Sequence, residues 1–254
     1  MSEPLLECHD VSVGYDAPIL EHVNLSVEPG QIVALLGGSG CGKSTLLRTL
    51  TGLLPPLAGE VRLFGEPLYD VPPDQRDRLL RRTGCAFQQN ALFGSMTVGD
   101  NVALPLRELT DVPGAVAREM VRARLAQVGL PGVEKRMPAN LSGGQRKRIA
   151  LARATILDPV LVFCDEPSAG LDPVVAAGID ELLLNLRAAF GGTLVIVTHE
   201  LASVRAIADR VVMFARGGIA ATGSIDELTH SRDPEVWNFF HRVPELEHAQ
   251  ARPA

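Results

Sequence analysis

Eight consecutive residues, Gly37-Gly38-Ser39-Gly40-Cys41-Gly42-Lys43-Ser44, fit the pattern G-x4-G-K-[ST], and Thr45 follows them. These residue types suit a phosphate. Glycines let successive backbone N–H groups turn inward around it, and a helix that starts there adds partial positive charge. Lys43 would reach the β- and γ-phosphates of a nucleotide, and the Ser44 hydroxyl would coordinate Mg2+. Downstream, the apolar run from Val160 ends in two carboxylates, Asp165 and Glu166. Asp165 suits holding Mg2+ through its water shell, and Glu166 suits polarising a water that attacks the γ-phosphate. Between them lies Leu141-Ser142-Gly143-Gly144-Gln145. Ser142 and Gln145 have capping-box spacing. Capping does not explain two glycines in a first helical turn, where they lower helix propensity. They leave the backbone open to close approach, so this helix N-terminus reads as a second phosphate-binding device.

The elements that must position these groups follow from periodicity. Leu5–Val13 and Ile19–Val27 alternate apolar and polar residues, and Gly14-Tyr15-Asp16 forms a turn between them. Gln31–Leu36 is continuously apolar, the mark of a strand buried on both faces. The glycine-rich loop follows it, then a helix over Lys43–Leu54 that Pro55-Pro56 ends. Glu60–Leu63 and Gly84–Phe87 read as short strands. Helix-spaced apolar residues mark Val98–Leu106, Ala115–Val128 and Ser142–Leu157. Strands resume at Val160–Cys164, Thr193–Thr198 and Val211–Phe214, with helices over Pro173–Ala189 and Leu201–Ala208 between them. Strands alternating with helices predict a parallel sheet in an α/β fold.

Composition narrows the class. The chain has 254 residues, 46% of them hydrophobic and 21% charged, which is ordinary globular usage. A net charge of −6 and 4% aromatics speak against a nucleic-acid partner. The apolar runs fall short of the roughly 20 residues that span a bilayer. The opening residues carry no signal-peptide pattern, so the chain is expected in the cytosol. Cys8, Cys41, Cys85 and Cys164 lack C-x-x-C spacing and predict reduced thiols rather than a zinc site. Cys41 is either a small filler of the glycine-rich loop or a thiol acidified by a helix N-terminus.

The glycine-rich loop, Leu141–Gln145 and Leu161–Glu166, in this order, resemble the ATP-binding cassette (ABC) ATPases, and the resemblance spans essentially the whole chain. It implies a P-loop NTPase fold: a RecA-like parallel-sheet core, an antiparallel β subdomain and an inserted helical subdomain. The core would occupy about 1–90 and 158–230, the helical subdomain about 91–157 and a C-terminal docking segment about 231–244. Residues 245–254 would be a tail. The resemblance also implies ATP and Mg2+ as ligands, bound between two copies that close head to tail. The loop of one copy would face Ser142, Gly143, Gly144 and Gln145 of the other. Tyr15 matches the aromatic that stacks on adenine, with a plain turn aromatic as the alternative. Gln88 matches the glutamine that touches Mg2+ and senses the membrane partner, with Gln89 as the alternative. Ser168–Asp172 matches the D-loop, and His199 the switch histidine at the γ-phosphate. Lys43, Glu166 and His199 would be the catalytic residues.

Finer features resemble the Mla/Mce-type lipid-transport ATPases within that family. They are Gln89–Val98, Asn101–Leu106, Asp165–Pro173 and Asp233–Phe240. The likeness implies phospholipid movement between inner and outer membranes, from a peripheral position on the cytoplasmic side of the bacterial inner membrane. It implies integral permease subunits docked near Gln88–Leu106, an MCE lipid-binding protein and a STAS-domain subunit. Val236, Trp237, Phe239 and Phe240 form an apolar cluster that needs burial, on the chain's own domain, across a dimer or on a partner.

Overall fold

The computed structural model describes residues 3–87 and 92–241. The chain begins with the antiparallel pair β1 (Leu6–Gly14) and β2 (Pro18–Val27), followed by β3 (Ile32–Gly37) and α1 (Lys43–Leu50). Next come β4 (Ala58–Leu63), the short β5 (Glu66–Pro67), α2 (Pro73–Leu80) and β6 (Thr83–Ala86). Three helices follow, α3 (Val98–Leu109), α4 (Gly114–Gln127) and α5 (Gly143–Thr155). The chain then runs through β7 (Leu161–Asp165), α6 (Pro173–Phe190), β8 (Thr193–Val197), α7 (Leu201–Ile207) and β9 (Arg210–Ala215). It closes with β10 (Gly218–Gly223), α8 (Ile225–Thr229) and α9 (Pro234–His241).

One sheet has the order β10-β9-β3-β8-β7-β6, with every pair parallel except β9 and β10. A second, antiparallel sheet has the order β2-β1-β4-β5. The central strands β3, β7 and β8 are buried at every residue because both faces are covered. Their side chains sort by the two-residue period of a strand. Val33, Leu35, Leu161, Phe163, Val195 and Val197 meet α1 and the antiparallel sheet. Ile32, Val162, Cys164, Leu194 and Ile196 meet the helical side, with Ile149 of α5 and Leu182 of α6. A third cluster joins Ala34, Leu36 and Met213 to Val236 and Phe240 of α9, so these two α9 residues are buried on the chain's own domain. Trp237 stays 42% exposed and stacks on His241.

One expectation needs correction, and one helix carried no apolar signal in the sequence. The helix after the glycine-rich loop ends at Leu50, not Leu54, because Gly52 at φ +77° closes a Schellman turn, its N–H donating to the Thr49 carbonyl and that of Leu53 to Arg48. The charged stretch Pro73–Leu80, where only Leu79 is buried, is a helix that apolar periodicity did not signal. Cys8 and Cys164 are buried and Cys85 is half-buried, and burial pushes each of these thiols up to about 12.

β6 lies so close to α5 that a Cβ on Gly84 would stand 2.1 Å from the Ala154 carbonyl oxygen. That clash is with backbone and cannot be relieved by a rotamer. Gly84→Ala is expected to cost about 1–3 kcal/mol, seen as a lower urea midpoint with an unchanged slope.

Candidate active site

β3, β8 and β7 are neighbours and parallel, so their carboxyl ends open at one edge of the sheet, where open α/β folds bind ligands. β3 delivers the glycine-rich loop, β7 ends at Asp165, and β8 leads into Thr198 and His199. Backbone bonds hold the ends level: Thr198 N–H donates to Leu35 and Glu166 N–H to Val197. A cleft of about 590 Å3 opens there, bounded by Gly38, Ser39, Gly40, Gly42, Lys43, Ser44 and Thr45 on one side and Glu166 and His199 on the other.

The loop fits its sequence closely. Gly42 caps α1 at φ +100°, and a Cβ there would meet Leu20 and Ile19 of β2 at 2.8 and 2.9 Å. Only glycine combines that backbone with that approach. Lys43 Nζ lies within the loop and donates to the Gly37 and Gly38 carbonyls at 2.9 and 2.7 Å, with Cys41 Sγ at 3.4 Å.

Glu166 adopts φ +51°, a left-handed conformation that costs a non-glycine residue about 1–3 kcal/mol. Its carboxylate Oε1 lies 2.7 Å from His199 Nδ1, and Oε2 accepts from Thr198 Oγ1 at 3.4 Å. Its carbonyl accepts from Lys147 Nζ at 2.7 Å. Asp165 is buried. The Ser44 hydroxyl bonds it, and its Oδ1 is buried without a hydrogen-bond partner among the described residues. Burial and the neighbouring Glu166 push its carboxyl up, while Arg48, Ser44 and Lys43 oppose them.

Other expected residues lie outside this cleft. Tyr15 is 54% exposed and its hydroxyl accepts from Arg48. Ser142 and Gln145 form the expected capping box at the start of α5, with both reciprocal bonds in place. Gly144 has a packing reason of its own: a Cβ there would meet Val175 Cγ1 at 2.6 Å. Gly143 approaches Leu171 in ordinary contact, and Asp172 caps α6 by accepting from Val175 N–H. The chain therefore does not bring its own Ser142–Gln145 to its own cleft. Gln88 and Gln89 lie outside the described residues. Three contributors had no sequence signal. Leu201 and Phe239 line the cleft from the far side, and Lys147 reads as one more cation on a basic helix until the fold turns it onto Glu166.

Comparison with known proteins agrees with this geometry. The sequence profile described as ABC transporter matches residues 20–169. The chain belongs to the ABC transporter family. The cassette is 41% identical over 228 residues to the intermembrane phospholipid transport ATP-binding protein MlaF of Escherichia coli K12, covering 89% of this chain and 84% of that one. It is 40% identical over 223 residues to the probable ribonucleotide transport ATP-binding protein mkl of Mycobacterium tuberculosis H37Rv, covering 88% of this chain. It spans 62% of the length of that mycobacterial relative. Among solved structures, the dimeric MJ0796 cassette bound to ADP and Pi superimposes with a TM-score of 0.79 at 29% identity, over 86% of this chain and 98% of that one. CbiO1 of Clostridium perfringens, part of the cbiONQ transporter complex, gives 0.81 at 28%, over 98% and 99%. The P-loop fold class expected from the motifs is thus the fold observed. Among the described residues no helix is long and apolar enough to cross a membrane.

The buried Asp165 gives a stability test. A carboxyl whose folded pKa is raised stabilises the fold only while protonated, so that contribution is lost as pH rises through the folded pKa. Nucleotide-free Asp165→Asn is expected to melt a few degrees above the parent at pH 7.5, with the gap closing as pH falls toward about 4, the unfolded carboxyl value. Thermal denaturation across that range checks it.

Proposed function

We propose that the cassette is the ATP-hydrolysing subunit of a transporter that moves phospholipid between two membranes. The observation that carries the hydrolytic part is the Glu166–His199 pair, 2.7 Å apart, across the cleft from the phosphate loop. Lys43 would exchange the Gly37 and Gly38 carbonyls for phosphate oxygens of ATP, while loop N–H groups take the rest of the charge. Glu166 Oε1 or Oε2 would accept the proton of the attacking water. His199 would orient that carboxylate through Nδ1 and turn its other ring nitrogen toward the γ-phosphate. Ser44 and the unpartnered Asp165 Oδ1 fit a hydrated Mg2+, with Gln88 as a further ligand. Bound there, the ion would neutralise phosphate charge. Tyr15 would stack on adenine.

The separation of Ser142–Gln145 from the cleft supports a second copy, closing head to tail, whose Ser142, Gly143, Gly144, Gln145 and Asp172 complete each site. A helical unit over about 91–157 would present the permease-facing surface. Permease subunits, an MCE lipid-binding protein and a STAS-domain subunit are the proposed partners, at the cytoplasmic face of an inner membrane. The 41% identity to MlaF, whose name gives intermembrane phospholipid transport, favours lipid cargo. The mycobacterial relatives, named for ribonucleotide transport, motivate the second reading of another cargo on the same engine.

Glu166→Gln is expected to lower ATP turnover by about 100-fold or more and to accumulate an ATP-bound dimer by light scattering. Parent-like turnover in that variant would overturn the catalytic assignment. Tagged pull-down from solubilised native membranes tests the cargo. Recovery of a permease with an MCE protein supports phospholipid, and a permease without one rejects it.

A further inference from the structure

Asp180 interrupts the apolar face of α6, between Ile179 and Leu182, where it is only 6% exposed. None of the ion pairs among the described residues includes it. An apolar residue would pack there at lower cost than a carboxylate without a cation. Its polar contacts are few and directed. The Ser203 hydroxyl bonds the carboxylate, and Ser203 Oγ lies 3.1 Å from Ser168 Oγ. The Ser203 hydroxyl donates to the Asp180 carboxylate, and the Ser203 and Ser168 hydroxyls share a hydrogen bond. All three side chains are buried. They line a cavity of about 10 Å3 with Pro167 and Thr198, and Asp180 Oδ1 is buried without a hydrogen-bond partner among the described residues.

The two serines sit on the two segments that carry the candidate catalytic pair. Ser168 lies two residues beyond Glu166, at the start of the stretch that leads to Asp172. Ser203 lies one turn into α7, directly after His199 and Glu200. Resting on the hydrolytic reading of that pair, we propose that Asp180 is a positioning residue. Through Ser203 and Ser168 it pins residues 166–172 to α7, so that Glu166 and His199 keep their mutual geometry. It touches no reacting atom. Its effect is on how often the pair is correctly set, which governs turnover rather than ATP affinity.

The test uses the full-length chain and two readouts. In amide exchange without nucleotide, Asp180→Val is expected to speed exchange several-fold in peptides covering 167–172 and 199–207. Ser168→Ala should do the same, and the double variant should add little. Asp180→Asn keeps an acceptor for Ser203 and should restore protection. In hydrolysis assays, Asp180→Val should lower kcat about tenfold with KM for ATP within about twofold, and Asp180→Asn should recover most of it. Unchanged exchange in either segment would overturn the proposal. So would exchange raised across the whole chain, or raised exchange with parent-like kcat. If the parent itself fails to hydrolyse ATP while the exchange pattern appears, the hydrolytic reading falls and the pin stands.

Discussion

Three parallel strands ending side by side impose the constraint on which the candidate site depends. β3, β8 and β7 are hydrogen-bonded neighbours, and the residues just beyond them are the glycine-rich loop, Thr198-His199 and Asp165-Glu166. No long-range side-chain contact is needed to gather these groups. Sheet register does it, because a one-residue slip would reverse which side chains meet the antiparallel sheet and which meet the helices. The two-sided burial of Val33/Ala34, Phe163/Cys164 and Val195/Ile196 therefore also fixes the site.

The edge so formed brings one lysine and two carboxylates together. Lys43 occupies its own loop, satisfied by two carbonyls that a phosphate could replace. Glu166 is held at three points, through its carbonyl by Lys147, through Oε1 by His199 and through Oε2 by Thr198. Those contacts sustain its left-handed backbone, which isolated from them would relax. Asp165, one residue earlier, keeps a buried oxygen without a partner among the described residues. Two adjacent carboxylates are thus treated differently by their surroundings, one tethered beside a histidine and one facing the loop, which is the division that separate base and metal-ligand roles require.

Much of this was legible in the residues. Alternation, continuous apolar runs and Gly/Pro punctuation marked the strands of both sheets except the edge strands β5 and β10, and the Ser142/Gln145 spacing marked a cap that the structure forms in full. What stayed hidden has a physical pattern. α2 buries little, so no apolar period advertises it. Lys147, Phe239 and Asp180 act across the fold, and a sequence carries no local trace of a partner far along the chain. The reading of Gly144 as room for a ligand also missed a nearer cause, because Val175 already fills the space a methyl would need.

That nearer cause changes how the start of α5 should be understood. Ser142–Gln145 begin a helix whose next turn carries Lys147, and Lys147 grips the Glu166 carbonyl. Val175, packed against Gly144, belongs to α6, which Asp172 caps. A phosphate arriving at the α5 N-terminus from a second copy would therefore meet a rigid helix already joined to the backbone of the candidate base and to the segment leading from it. Burial holds the Lys147 ammonium below its ordinary pKa, and the neighbouring Glu166 and Asp165 oppose that shift. Contact at one copy's α5 would in this way be felt at that same copy's Glu166, through one helical turn and one hydrogen bond.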